Sequence, residues 1–169
     1  MILGVETTVV RDTVWVNGEI AEKTMDWYAQ DKQGNVWYFG EFSQEYENGV
    51  PINTHGSWEA GVDGAEPGII MLANPRPSVQ YRQEYYKGEA EDMARVLRTD
   101  AAITVPYGTF DDVLVTREWT PLEPGFAERK FYAPCIGNVA VRQIEGGRNF
   151  LTLVKIRTLA NAKQPGCDD

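Results

Sequence analysis

The chain has 169 residues, 43% apolar and 24% charged, with a formal charge of −9. That is long enough for a real core and ordinary for a globular protein. The acidity argues against a nucleic-acid partner, because phosphate binding needs a basic stripe and Lys and Arg are scattered here. Even the nearest thing to a cluster, Arg117 with Arg129 and Lys130, is interrupted by acids.

No run approaches the roughly 18 apolar residues of a membrane span, so no span is expected. The first residues also lack the charged region and apolar stretch of a leader. With His55 as the one histidine and Cys135 and Cys167 as the two cysteines, a Cys/His zinc site is excluded. Whether the two cysteines meet is left open by the sequence. There is no phosphate loop and no dinucleotide glycine fingerprint, so no cofactor is expected.

Strand-type residues dominate. Val5 to Val16 is β-branched almost throughout, and Asn17-Gly18 supplies the two positive-φ residues of a type I′ hairpin. The return runs from Glu19 to Gln30. Residues 31–35 form a longer polar turn with Gly34 in a left-handed position, and Val36 starts the next strand. Asn48-Gly49 marks a third reversal into Val50 to Glu59. Glycines and prolines punctuate 56–78 around the apolar run Ile69 to Leu72, after which Tyr81 to Tyr86 alternates as a strand should.

Residues 88–98 fit either an amphipathic helix or an edge strand, with the surrounding pattern favouring strand. Further strands are read at Ala102–Val105, Phe110–Trp119, Phe126–Tyr132, Val139–Ile144 and Phe150–Leu159. The expected fold is an all-β antiparallel meander of about eight to ten strands. It forms a barrel or strongly curved half-barrel, with a β-sandwich as the alternative. One β-domain is read over residues 1–160, with a polar tail over 161–169.

Two segments carry a resemblance. Val105-Pro106-Tyr107-Gly108-Thr109-Phe110 is followed by Glu128-Arg129-Lys130-Phe131-Tyr132-Ala133-Pro134. The pair resembles a broad, largely uncharacterised group of bacterial exported β-rich proteins. In that group a V-P-x-G-T-F strand precedes a Y-A-P-G-x-G strand. Asp26–Asp31, Trp37–Glu41, Gly56–Gly61 and Tyr81–Tyr86 look like that group too. The resemblance implies a β-rich shape and an extracytoplasmic setting, and carries over no catalytic residue. It also implies further β-sequence ahead of this chain, leaving one sheet edge open or completed by another chain. Cys135 stands where the group has Gly.

Candidate site residues come from the aromatic and polar positions. Trp27, Tyr38, Trp58, Tyr81, Tyr85 and Trp119 combine large faces with polar handles, which suits an amphiphilic or carbohydrate-like ligand. Core packing is the competing use of the same residues. Arg82 and Glu84 share a strand face among tyrosines and are the pair expected to orient a ligand. His55, on a strand with Asn53, Ser57 and Glu59, Glu84 and Asp111 are the candidates for acid–base catalysis.

Asp26, Glu41, Glu45, Glu59, Asp63, Glu84, Asp111, Asp112 and Glu118 offer many carboxylate pairs of glycosidase type, too many to choose among. Asp31, Gln33 and Asn35 have alternating oxygens, for which a plain turn outweighs calcium. Three functions follow in order. The first is a binding module for a small amphiphilic or carbohydrate-like ligand. The second is a cofactor-independent hydrolase, lyase or isomerase. The third is an assembly protein pairing through β-edges, a homo-oligomer among its outcomes.

Overall fold

The computed structural model describes residues 1–157. Every regular element among them is a strand, and the named sheet pairings are antiparallel. The contacts group into two compact units. One holds 1–74, 81–93 and 120–122; the other holds 75–80, 94–119 and 123 onward.

The first sheet begins with a hairpin of β1 (Thr8–Val16) and β2 (Glu19–Gln30), followed by β3 (Val36–Glu47). Asn17 and Gly18 close that hairpin at φ of 53° and 86°, the double left-handed turn expected. Asn48 and Gly49 repeat it at 52° and 76° before β4 (Val50–Asn53), and Gly34 turns at 96°. β5 (Trp58–Glu59), β6 (Glu66–Met71) and β8 (Glu84–Tyr85) complete the sheet, in the order β1-β2-β3-β6-β8 with β4 and β5 also on β3.

The second sheet runs from β7 (Gln80–Arg82) and β9 (Met93–Val105) through β10 (Gly108–Trp119) and β11 (Ala127–Ala133). It ends with β12 (Gly137–Glu145) and β13 (Phe150–Thr152).

The all-β antiparallel class is therefore as expected, but both sheet paths are open and no closed barrel forms among the described residues. The described residues form thirteen strands rather than eight to ten, and two of the expected strands are broken. Val50–Glu59 is cut by a turn at His55 and Gly56, and Tyr81–Tyr86 is cut at Gln83, whose amide donates to the Asp92 carbonyl at 2.8 Å. The ambiguous segment is a strand from Met93. Ala94 and Val96 are buried while Arg95 between them is exposed, so period two wins over the helical spacing. Cys135, at φ 62°, adopts the left-handed turn that a glycine would. Whether it meets Cys167, and the tail over 161–169, lie outside the described residues.

Each unit has its own core. Tyr38, Phe39, Trp58, Ala60, Ala65 and Ile2 centre the first; Val113, Val115, Val139, Ala101 and Ala133 centre the second.

In the first unit the register of β2 on β3 slips once. Asp26 faces Glu41 and Tyr28 faces Tyr38, so Trp27 alone on β2 answers to Phe39 and Gly40 on β3. The extra residue is a β-bulge at Phe39-Gly40. Gly40 sits at φ 128°, and a Cβ there would collide with the Trp58 carbonyl oxygen. Gly49 is also left-handed but has open space around it. Gly40→Ala should therefore cost at least about 3 kcal/mol of stability, and Gly49→Ala only about 1 kcal/mol. Urea unfolding midpoints of the two variants check this; equal losses would contradict the role given to the bulge.

Candidate functional site

Side chains alternate faces along a strand, so Tyr38 and Glu41, three residues apart, would ordinarily point to opposite sides. The bulge returns them to one side. There the Tyr38 hydroxyl donates to Asp26 Oδ1 at 2.7 Å and also hydrogen-bonds Glu41. Below this group the same face of β2 and β3 carries Thr24 opposite Ser43 and Glu22 opposite Glu45. Thr24 Oγ1 donates to Glu22 Oε1 at 2.8 Å, and Asn53 Nδ2 to Glu45 Oε2 at 2.8 Å. Above it, the Tyr28 and Tyr38 rings stack with centroids 4.8 Å apart. Trp58, in register with Glu41, sets its ring edge-on to Tyr38 at 5.4 Å.

The face is thus a ladder of acids and hydroxyls closed at one end by aromatic rings. Two half-buried carboxylates placed opposite each other resist joint ionisation. Burial pushes the Glu41 carboxyl up to about 7, with the Asp26 charge adding to the effect and the Tyr38 hydrogen bond opposing it. Asp26 is also raised, by burial first, and the Tyr38 bond again pulls the other way. Burial, followed by the nearby carboxylates, pushes both tyrosine phenols upward. The Asp26–Tyr38–Glu41 group can hold and release a proton near neutral pH.

The expected site residues are distributed differently. Tyr38 and Trp58 are core residues, at 6% and 5% exposure, and Trp27 packs partly buried against the same core. Glu84 is buried and accepts the Trp58 indole N–H at 3.0 Å. Arg82 does not share its setting. It lies on β7, in the other sheet, paired with Glu66 at 2.7 Å and stacked 4.3 Å over the Tyr85 ring. Tyr81 is half-buried beside it in sequence.

His55 is not on a strand. It is exposed in the turn after β4, where its backbone N–H donates to Asn53 Oδ1 at 3.0 Å, while Ser57 Oγ donates to the Ser43 carbonyl. Asp111 is exposed on β10 beside the left-handed Asp112, and Trp119 lies under the Arg117 guanidinium at 5.1 Å. Both belong to the second unit. Of the expected residues, Tyr38 bonds Asp26, Trp58 is in register with Glu41, and Glu84 is reached through the Trp58 indole.

Asp31 accepts four N–H groups: the Gln33 and Asn35 amides, the Asn35 side chain and the Trp37 indole, at 2.8 to 2.9 Å. The indole and Asn35 bonds lower its carboxyl to about 2. It locks the β2–β3 turn.

A second feature of this unit is the outer edge of its sheet. β1 ends the strand order, and all nine of its residues are exposed. Trp15 is 60% exposed, Val16 54% and Val9 50%. An edge strand that is long and apolar offers unpaired backbone groups and unburied side chains together.

No family model, no curated protein and no solved structure matches the chain.

The raised Glu41 value has a consequence for stability. The folded value lies above the ordinary carboxylate value of 4.5, so between there and about 7 the native state holds the extra proton. Stability attached to that proton is full below the window and is lost as pH rises through it. Glu41→Gln should flatten the loss and, near pH 8, exceed wild type by about 1–2 kcal/mol after allowance for solvent screening. Urea midpoints at pH 5 and pH 8 check this; an equally steep fall in the variant would contradict it.

Proposed function

We propose that this protein is an assembly module that pairs through its β1 edge with a second copy of itself. The observation that carries this reading is the nine-residue edge strand, exposed along its whole length and bearing Val9, Val10, Val14, Trp15 and Val16. Soluble proteins ordinarily blunt such an edge with charge, proline or a short strand, and only Arg11 and Asp12 interrupt this one. Strand addition satisfies the free backbone groups, and burial of the valines and Trp15 adds a hydrophobic gain of about 25 cal/mol per Å².

A two-fold antiparallel pairing places each residue opposite its counterpart about a central position. Centring on Asp12 or Arg11 sets like charges face to face. Centring on Thr13 avoids that, puts Val10 against Val16, and seats Arg11 against the Trp15 ring of the second copy.

The aromatic-lined concavity expected for a small amphiphilic or carbohydrate-like ligand gains no support, because Tyr38 and Trp58 are spent in the core. A second reading, cofactor-independent acid–base chemistry, is favoured by the Asp26–Tyr38–Glu41 group, whose two acids are held by one hydroxyl. Loss of turnover in both Asp26→Asn and Glu41→Gln, on any substrate the wild type hydrolyses, would support it.

Native mass spectrometry tests the assembly reading. Wild type should give an even number of subunits, and Thr13→Glu should shift the population to monomer. Glu at 13 faces Lys23 within the chain, so the hairpin tolerates it, but it faces itself across the two-fold. A wild type that stays monomeric at every concentration would overturn the reading.

A further inference from the structure

Three arginines form one cross-strand row in the second unit. Arg117 of β10 is in register with Arg129 of β11, Arg129 with Arg142 of β12, and Arg142 with Phe150 of β13. Directly opposed residues project from the same face, and neighbouring strands are only about 4.8 Å apart. Like charges so placed oppose folding.

The first of the three is compensated. Arg117 pairs with Glu145 at 2.9 Å and lies over Trp119. Arg129 and Arg142 are exposed and make no ion pair with a described residue, and the same holds for Arg148. These three arginines line one groove of about 770 Å³, together with Gln143 and the 58%-exposed Phe150. In a chain of charge −9, three uncompensated guanidinium groups around one concavity are a concentration of charge that the fold itself does not use.

We propose that this groove binds a compact ligand bearing two or more anionic oxo groups, carboxylate or phosphate. Guanidinium is a planar fork that matches either group bidentately. The bound charges would relieve the repulsion along the row, and Phe150 offers an apolar face to the ligand's carbon frame. The groove has the size of a small-ligand site.

Titration calorimetry with citrate and with inorganic tripolyphosphate, at low and high salt, tests the site. At least one of the two should bind at low salt and weaken as salt rises, and which one binds separates carboxylate from phosphate recognition. R129Q/R142Q should weaken that binding by at least roughly tenfold, the loss of two charge-assisted contacts. Its melting temperature should be unchanged or higher, since the variant removes a repulsive pair. The proposal is overturned if neither anion binds, or if the variant binds as wild type does. Saturation by a short oligothymidylate far below the concentration needed of either small anion would also overturn it, assigning the face to single-stranded nucleic acid.

Discussion

The approach of Gly40 to the Trp58 carbonyl sets most of what is particular about the first unit. β5 can pair with β3 only where the backbone of β3 comes close, and Gly40 leaves no Cβ in the way. The Ala60 amide then donates to the Phe39 carbonyl at 2.9 Å, fixing the chain as it leaves β5. Once β5 is seated, Trp58 lies in the core with its ring against Tyr38 and its indole N–H on Glu84. Truncating a buried tryptophan of this kind costs about 3–5 kcal/mol. The bulge, the short strand and the buried acid form one cooperative unit.

The same bulge creates the acid–hydroxyl face. Without the bulge, Glu41 and Tyr38, three residues apart, would lie on opposite sides of the sheet, and Gly40 would face Asp26 in place of Glu41. With it, two carboxylates share one phenol, and desolvation raises both. The arrangement destabilises the native state as pH rises toward neutrality.

Much of the fold could be read from local patterns. Asn17-Gly18 and Asn48-Gly49 announce their turns through the positive φ they require, and Ala94 and Val96 settle their strand by period two. What could not be read was register. A one-residue bulge leaves no periodic signature in Trp37-Tyr38-Phe39-Gly40, so Asp26 and Glu41 stay anonymous among nine acids until the strands are aligned. Arg117, Arg129 and Arg142 are likewise scattered along the chain and become neighbours only across three strands. His55 leaves its expected strand for a different reason: β4 ends at Asn53 and the chain turns at Gly56 (φ 80°). Trp27, Tyr38 and Trp58 carry polar handles, but their rings pack in or against the core of the first unit.

The two sheets also differ in how their ends are treated. β13 is three residues long, as a guarded edge should be, although Phe150 and Leu151 on it are exposed. β1 is nine residues long and exposed throughout, with Arg11 and Asp12 its only charges. Hydrogen exchange of the β1 amides across a concentration series bears on that difference most directly. The assembly account predicts that the β1 amides left unpaired by β2 are protected in concentrated solution and exchange rapidly on dilution. Fast exchange of those amides at every concentration, with the amides that bond β2 still protected, would contradict it.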